Sequence, residues 1–227
     1  MPLQRILEPE VMDSAQEAID YDTMDHTDVN RVFVDDLLTF AQFEKPSVAE
    51  LRVLDVGTGT AQIPVELCGR QLPMHVTGVD LAEEMLKVGN QNVAAAGFAQ
   101  NITLEHVDAK QLPYAAGTFD AVISNSIVHH IPDPLQVIVE MARVVRAGGV
   151  LFVRDLLRPD DKAELEQLVS TYAADTNDEQ RQLFRQSLYA ALTVAEVKSL
   201  LTTAGLPAKW CSQTTDRHWT IAGRCGV

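Results

Sequence analysis

From residue 51 onward, short β-branched apolar runs alternate with longer stretches in which apolar residues recur at helical spacing. The strand-like runs lie at residues 51–56, 74–79, 102–107, 119–124 and 150–154. This alternation is typical of a parallel sheet covered by helices on both faces, because parallel strands need a crossover connection. Two further runs, at 207–213 and 218–223, are separated by a short polar segment and predict an antiparallel hairpin. The sequence therefore predicts a doubly wound α/β fold with a seven-stranded, mostly parallel sheet and an antiparallel C-terminal hairpin.

Capping residues mark several helices. Asp133 and Pro134 predict the start of one helix, and Gly148-Gly149 predicts its end. A Thr-x-x-Glu pattern at 193–196 predicts a capping box, with Gly205 closing that helix. Helical spacing of apolar residues also predicts an amphipathic helix over about 28–43 and one or two helices within 156–190.

The charge of the chain restricts its partners. Its 227 residues include 32 acidic residues against 18 lysines and arginines, which gives a formal charge of −14. Because this charge repels phosphate on average and the basic residues form no run, nucleic acid is not an expected partner. No apolar run reaches the roughly 20 residues that span a bilayer. Cys68, Cys211 and Cys225 are far apart and are interpreted as reduced thiols, so we expect a cytoplasmic protein.

The segment VLDVGTGTA, at 53–61, runs from a predicted strand into a glycine turn that opens a helix. Glycines allow a tight turn and the close approach of a ligand, although a lone Gly-x-Gly fits a ligand-free turn equally well. Asp80 and Asp108 place carboxylates at the ends of the next two predicted strands. Asp80 alone would also fit a helix cap. Because the ends of parallel strands meet at one edge of a sheet, the three segments together predict a ligand crevice.

Four segments, LDVGTGTAQIPVEL, VTGVDLAEEML, VDAKQLPYAAGTFDAVISNSIVHHIPDP and ARVVRAGGVLFVRD, resemble the successive motifs of class I S-adenosylmethionine-dependent methyltransferases. The resemblance covers about residues 50–155 in order and spacing. It implies a Rossmann-like fold, S-adenosylmethionine as the cofactor and S-adenosylhomocysteine as a product. The third glycine often found in the first motif is Ala61 here.

The resemblance also implies which residues bind the cofactor. Asp55, the residues of the glycine turn and Asn125 would surround its methionine part, and Asp80 would hold the ribose. The remaining residues would contact the adenine. The complete set is Asp55, Gly57, Thr58, Gly59, Asp80, Leu81, Met85, Asp108, Ala109 and Asn125. For Leu81 and Met85, packing on a helix face explains the pattern equally well. We expect a single domain over 1–227, with an N-terminal helical lid or cap at 1–47, a cofactor-binding core at 48–155, and helices with the hairpin at 156–227.

A nicotinamide dinucleotide is the weaker alternative cofactor. Its Gly-x-Gly-x-x-Gly pattern would place a glycine where this chain has Gln62.

Three titratable residues follow the fourth and fifth predicted strands and are candidate catalytic residues: His129, His130 and Asp155. A histidine titrates near neutrality and can act as a base. Because His-His-Ile-Pro-Asp-Pro recurs in similar methyltransferases with different acceptors, a structural role for at least one histidine is favoured.

The predicted function is methyl transfer to a small-molecule acceptor. The segment Asn125-Ser126-Ile127-Val128 departs from the Pro-Pro-aromatic motif of enzymes that methylate nucleobase amino groups. One alternative is a protein side-chain methyltransferase, whose acidic cleft would take a basic peptide. A second is a cofactor-binding module without catalysis. No metal ligands are predicted, and the acceptor, the methylated atom and the oligomeric state are left open by the sequence.

Overall fold

Seven strands form one mixed sheet. The computed structural model describes residues 3–11, 13–24, 26–43, 50–174 and 176–226. The strands are β1 Leu51–Val56, β2 Met74–Asp80, β3 Ile102–His106, β4 Phe119–Asn125, β5 Val145–Leu156, β6 Cys211–Gln213 and β7 His218–Arg224. Their order in the sheet is β3-β2-β1-β4-β5-β7-β6. The predicted seven-stranded, doubly wound architecture is confirmed.

The register of the parallel strands determines which residues meet at their carboxyl ends. β1 pairs in parallel with β2, where Asp55 is opposite Gly78, and with β4, where Asp55 is opposite Ile123. β2 also pairs in parallel with β3, and Asp80 is opposite His106. The carboxyl ends of these strands therefore lie at the same edge of the sheet.

The C-terminal hairpin is antiparallel, as predicted, with Ser212 opposite Thr220. Its first strand is shorter than the predicted run at 207–213, because Ala208–Trp210 form a 3₁₀ turn. Pro207 precedes this turn with a φ of −66° and cannot donate an N–H group to a ladder. The strand β6 therefore starts only after the turn.

The prediction for Gly148-Gly149 was wrong. Helix α5, Leu135–Val144, is followed directly by β5, so the two glycines lie inside the strand rather than at the helix end. Gly148 has a φ of +74° and donates its N–H to the carbonyl oxygen of Cys225 at 2.6 Å. A Cβ on Gly149 would lie 2.8 Å from the carbonyl oxygen of Asp120. The glycines are needed for a bend and a close backbone approach, which produce the same sequence signal as a helix end.

The remaining helices in the described residues are α1 Ala15–Asp22, α2 Thr27–Ala41, α3 Gln62–Cys68, α4 Glu83–Ala95, α6 Lys162–Tyr172, α7 Asp178–Ala190 and α8 Val194–Thr203. The helix predicted over 28–43 is α2, and those predicted within 156–190 are α6 and α7. The predicted capping box of α8 is confirmed. Oγ1 of Thr193 accepts the N–H of Glu196 at 3.2 Å, and Oε2 of Glu196 accepts the N–H of Thr193 at 2.8 Å.

Helix α1 was not predicted individually. Ser14 and Glu17 nevertheless form a capping box at its start, since Oγ of Ser14 accepts the N–H of Glu17 at 3.1 Å and Oε2 of Glu17 accepts the N–H of Ser14 at 3.0 Å. Parts of the predicted lid, at 1–2, 12, 25 and 44–47, lie outside the described residues.

The described residues form two compact units. The larger unit comprises Val11–Asn125, Val139–Val153 and 222–226, and its core includes Phe33, which meets Phe152 edge-to-face at a ring distance of 5.3 Å. The smaller unit comprises residues 3–10, Ser126–Ile138 and Arg154–Ile221. Its core is a leucine-rich cluster that includes Leu156, Leu165, Leu168 and Leu188. Each fully buried leucine contributes roughly 1.5–3 kcal/mol of transfer free energy.

Candidate active site

Strand β1 leads into the predicted glycine turn. Gly57 and Gly59 have φ values of +73° and +54°, in the left-handed region that favours glycine. The N–H groups of Gly57 and Thr58 donate to the carbonyl oxygen of Val79 at 2.8 and 3.0 Å, which ties the turn to β2. Ala61, where the third glycine often occurs, also has a positive φ of 60°.

The side chain of Asp80, at the end of β2, binds the same glycine turn. Oδ2 accepts the N–H of Gly59 at 2.8 Å, and Oδ1 accepts the N–H of Ala82 at 2.9 Å. Asp80 is not the cap of α4, because the N-cap is Ala82 and the N–H of Glu84 is bound by Oδ1 of Asp13 at 3.0 Å. Burial raises the pKa of Asp80, although these backbone N–H groups oppose the shift.

Asp55, near the end of β1, is almost completely buried, with an exposed fraction of 1%. Burial raises its pKa to about 7, and the negative charge of Asp80 acts in the same direction. The Thr58 side chain opposes the shift, although neither Oδ2 of Asp55 nor Oγ1 of Thr58 makes a hydrogen bond within the described residues. Asp55 is therefore poised to change its charge near neutral pH.

The later strand ends place the other predicted residues. Asp108 follows β3 and accepts the N–H of Lys110 at Oδ1 at 2.9 Å, and both it and Ala109 are half-buried. Asn125 is the last residue of β4, also half-buried, and its neighbour Ser124 donates from Oγ to the carbonyl oxygen of Val56 at 2.8 Å. β3 pairs with β2, so Asp108 lies beyond the end of β3 at the same edge of the sheet. β4 pairs with β1, so Asn125 lies beside the end of β1.

Leu81 and Met85 lie at the start of the segment that forms α4. Met85 is buried in an apolar cluster with Ala18 and Ala82, against which Tyr21 also packs. This position matches helix packing, the alternative that the sequence left open for Met85. Leu81 is half-buried.

Helix α1 places two residues, Tyr21 and Asp22, beside the glycine turn. No sequence motif links these two residues to the turn. Tyr21 lies over the glycine turn, since a Cβ on Gly59 would be 3.7 Å from its Cε1. Burial, followed by the charges of Asp80 and Asp55, raises the pKa of Tyr21 to about 12. Asp22 accepts from Nδ2 of Asn92 at 2.7 Å, so α1 is anchored beside the turn.

In the smaller unit, two candidate catalytic residues form a buried pair. Nδ1 of His129 lies 2.5 Å from Oδ1 of Asp155, whose Oδ2 accepts the N–H groups of Val128 and His129 at 2.6 and 3.2 Å. Burial opposes the charged imidazolium, but Asp155 and then Glu8 outweigh it and raise the pKa of His129. Burial would raise the pKa of Asp155, but its interactions with His129 lower it. Both shifts favour the ion pair of an imidazolium with a carboxylate.

Glu8 completes a cluster that the sequence did not reveal. Its Oε1 lies 3.3 Å from Nε2 of His129 and 3.2 Å from Nδ1 of His130. Burial, and then the charge of His129, lowers the pKa of His130 to about 4, so this histidine is neutral at pH 7. Burial raises the pKa of Glu8, although His129 opposes the shift.

Arg5 fixes the segment that carries Glu8. Its guanidinium donates to the carbonyl oxygens of His129, Ile131 and Pro132 at 3.1, 2.9 and 3.1 Å. It also donates from Nε to the carbonyl oxygen of Ala190 at 2.7 Å. No local signal predicts these contacts, because Arg5 is 124 or more positions from each partner.

The chain is similar to known methyltransferases. Residues 54–153 match a family described as the methyltransferase domain. Residues 54–153 are therefore a methyltransferase domain, as the resemblance to class I S-adenosylmethionine-dependent methyltransferases implied.

Two relatives and one solved structure illustrate how far the similarity extends. A 27-O-demethylrifamycin SV methyltransferase of Amycolatopsis mediterranei is 32% identical over 75% of this chain and 60% of its own length. A demethylmenaquinone methyltransferase of Listeria monocytogenes is 39% identical over 48% of this chain and 46% of its own. The chain therefore spans about half to 60% of the length of these curated relatives. A candidate S-adenosyl-L-methionine-dependent methyltransferase of Methanococcus maripaludis shares the fold, with a TM-score of 0.69, 13% identity and coverage of 97% of both chains.

The glycine turn fits the cofactor of this methyltransferase family. Three buried oxygen atoms make no hydrogen bond within the described residues: Oδ2 of Asp55, and Oγ1 of Thr58 and of Thr60. Buried polar atoms normally have partners, and the amino and hydroxyl groups of the cofactor would supply them. Gly59 and Ala82 donate to different oxygens of Asp80, and the carboxylate retains acceptor capacity for the ribose hydroxyls.

The helices of the chain are short or carry polar residues. Within the described residues, none is both long and apolar enough to cross a membrane.

Proposed function

We propose that this chain transfers a methyl group from S-adenosylmethionine to a small-molecule acceptor and releases S-adenosylhomocysteine. The observation that carries the proposal is Asp80, whose two oxygens are oriented by Gly59 and Ala82 and retain acceptor sites for the ribose. The names of the two relatives, which refer to rifamycin and menaquinone derivatives, support a small-molecule acceptor. The charge of −14 disfavours a nucleic-acid acceptor.

The chain itself has mainly to bind and orient. When bound, S-adenosylmethionine supplies a methyl group on a sulfonium, which the acceptor displaces in line. Asp80 would hold the ribose and Asp55 the amino group of the methionine part. Tyr21 would cover the glycine turn and help to exclude water.

The roles of His129, His130 and Asp155 in transfer remain a prediction. A base needs a ring nitrogen that can accept a proton, and both ring nitrogens of His129 face carboxylates. We propose that His129 and Asp155 position the turn at Val128–His130 rather than exchange protons with the acceptor. A positioning role predicts that His129→Gln lowers kcat/KM without removing an ionisation from its pH profile, whereas loss of that ionisation would identify a base.

The test of the cofactor site is calorimetric titration with S-adenosylhomocysteine. Asp80→Asn should weaken binding about 10- to 150-fold, because a hydrogen bond to a charged group contributes about 1.5–3 kcal/mol. Part of this loss would come from the turn, since the amide cannot accept both backbone N–H groups.

Asp120→Asn is the matched control for this substitution. Asp120 also accepts a backbone N–H, that of Arg52 at 2.8 Å, but it lies near the start of β4. Asp120→Asn should bind S-adenosylhomocysteine as tightly as the wild type does. Neither the wild type nor Asp120→Asn should bind a nicotinamide dinucleotide. Equal affinities of the two variants would contradict the assignment of Asp80 to the ribose.

A screen for S-adenosylhomocysteine formation separates the activities. Phenols, quinols, amines and basic peptides would each be offered with S-adenosylmethionine. Turnover with a basic peptide alone would favour a protein side-chain methyltransferase. Tight cofactor binding without turnover across all classes would favour a non-catalytic module.

A further inference from the structure

The cluster in the smaller unit brings three metal-ligating side chains together. Glu8, His129 and His130 each offer one atom, and these three atoms lie within 4.8 Å of one another. The side chains of Glu8 and His129 are 8% and 4% exposed, and that of His130 is 21% exposed. The group is therefore a largely buried cluster of two imidazoles and a carboxylate.

Two of the three converging atoms make no hydrogen bond within the described residues. They are Oε1 of Glu8 and Nδ1 of His130, and both are buried. A buried carboxylate oxygen that makes no hydrogen bond and faces an imidazole nitrogen at 3.2 Å is costly unless a proton or a cation lies between them. This arrangement calls for a positively charged occupant.

The spacing suits a tetrahedral ion. Ligands about 2.0–2.2 Å from zinc at tetrahedral angles lie roughly 3.3–3.6 Å apart. Oε1 of Glu8 is 3.3 Å from Nε2 of His129 and 3.2 Å from Nδ1 of His130. Both carboxylate-to-imidazole distances therefore need only a small adjustment to fit zinc.

The surroundings of His129 match those of a metal-bound histidine. Metal-ligating histidines usually donate their second ring N–H to a carboxylate, which fixes the tautomer. Nδ1 of His129 pairs with Oδ1 of Asp155 at 2.5 Å, which directs Nε2 toward Glu8. Arg5 additionally binds the carbonyl oxygens of His129 and Ile131, so the ligand-bearing turn is held in place.

We propose that Glu8, His129 and His130 form a zinc site that ties residues 3–10 to the turn at Val128–His130. Two imidazoles and one carboxylate are a common three-ligand set for zinc, with water as the fourth ligand. The site belongs to the smaller unit, and its proposed role is to hold the turn at Val128–His130 in place rather than to react with the acceptor. The competing occupant is a proton on His129, shared with Glu8, and the experiment distinguishes the two.

The experiment uses the full chain without a tag, freed of metal by dialysis against a chelator. Zn²⁺ is titrated calorimetrically and Co²⁺ by visible absorption. We expect one ion per chain and the visible bands of tetrahedral Co²⁺ with nitrogen and oxygen ligands. Glu8→Gln and His130→Gln should each weaken Zn²⁺ binding at least 100-fold, because each removes one of three protein ligands.

His75→Gln is the matched control, since His75 is a histidine of the larger unit bonded to Oγ1 of Thr103 at 3.0 Å. It should bind Zn²⁺ as the wild type does. Wild-type binding no tighter than that of Glu8→Gln would overturn the proposal in favour of the proton. The cobalt spectrum requires no variant: absence of tetrahedral bands, or a sulfur-to-cobalt charge-transfer band from the cysteines, would also overturn it.

Discussion

Asp55 carries a buried carboxyl whose pKa is raised to about 7. Below that pH it is largely neutral, and a nearby ligand cation favours its ionised form. If the ammonium group of S-adenosylhomocysteine lies beside it, as we propose, binding releases a proton. The pH dependence of binding therefore reports on the ionisation of Asp55.

We predict that S-adenosylhomocysteine affinity rises as the pH increases from 6 to 8. The slope should approach about tenfold per pH unit below pH 7 and level off above it. Calorimetry in buffers of different ionisation enthalpy would measure the released proton directly. Asp55→Asn should bind more weakly and lose this dependence, so an unchanged slope in the variant would contradict the prediction.

For individual residues, the sequence predicted those whose roles depend on neighbours in the chain or on a position at the end of a strand. Asp55, Asp80 and the glycine turn are brought together because β1 and β2 are parallel neighbours. Arg5 and Glu8 were missed because their partners are more than a hundred positions away and their own segment has no periodic pattern. Long-range ion pairs of this kind leave no local signal.

Among the secondary-structure elements, β5 shows where a local signal was ambiguous. Gly148-Gly149 has the sequence pattern of a helix end. In the structure, position 149 requires a glycine because β5 passes close to backbone oxygens there. The start of α8 was predicted correctly, since a capping box involves only four consecutive residues. A helix cap depends on a few consecutive residues, whereas a close approach between strands depends on tertiary packing.

We predict that Gly149→Ala destabilises the protein more than Gly97→Ala does. A Cβ on Gly149 would lie 2.8 and 2.9 Å from the carbonyl oxygens of Asp120 and Arg146, so the backbone must move at a cost of about 3 kcal/mol or more. Gly97 has a φ of +79° with open space around it, so only backbone strain of about 1–2 kcal/mol is expected. Urea unfolding of both variants gives the comparison, and equal losses of unfolding free energy would contradict it.

For the whole molecule, the pH dependence of stability combines groups that act in opposite directions. Asp55 is more basic in the folded state, so its contribution is present at low pH and lost as the pH rises through about 7. Burial, and then Arg217, lowers the pKa of His218 to about 4. The contribution of His218 is present above its unfolded pKa of about 6.5 and is lost as the pH falls toward 4.

A difference measurement isolates one of these groups. We predict that the unfolding free energy of the wild type, relative to His218→Gln, falls by about 1.4 kcal/mol per pH unit between pH 6 and 4.5. Denaturant titrations at several pH values would measure it. Parallel stability curves for the two proteins would show that His218 does not remain neutral in the folded state.

The anchoring of Arg5 also affects the order of events during synthesis. Arg5 is synthesised before its partner Ala190, which lies 185 positions later in the chain. At about 5–20 residues per second, the N-terminal segment waits roughly 10–40 s for that partner. The contacts of Arg5 in the smaller unit are thus completed only after Ala190 has been synthesised, so the segment that carries Arg5 is secured long after it is made.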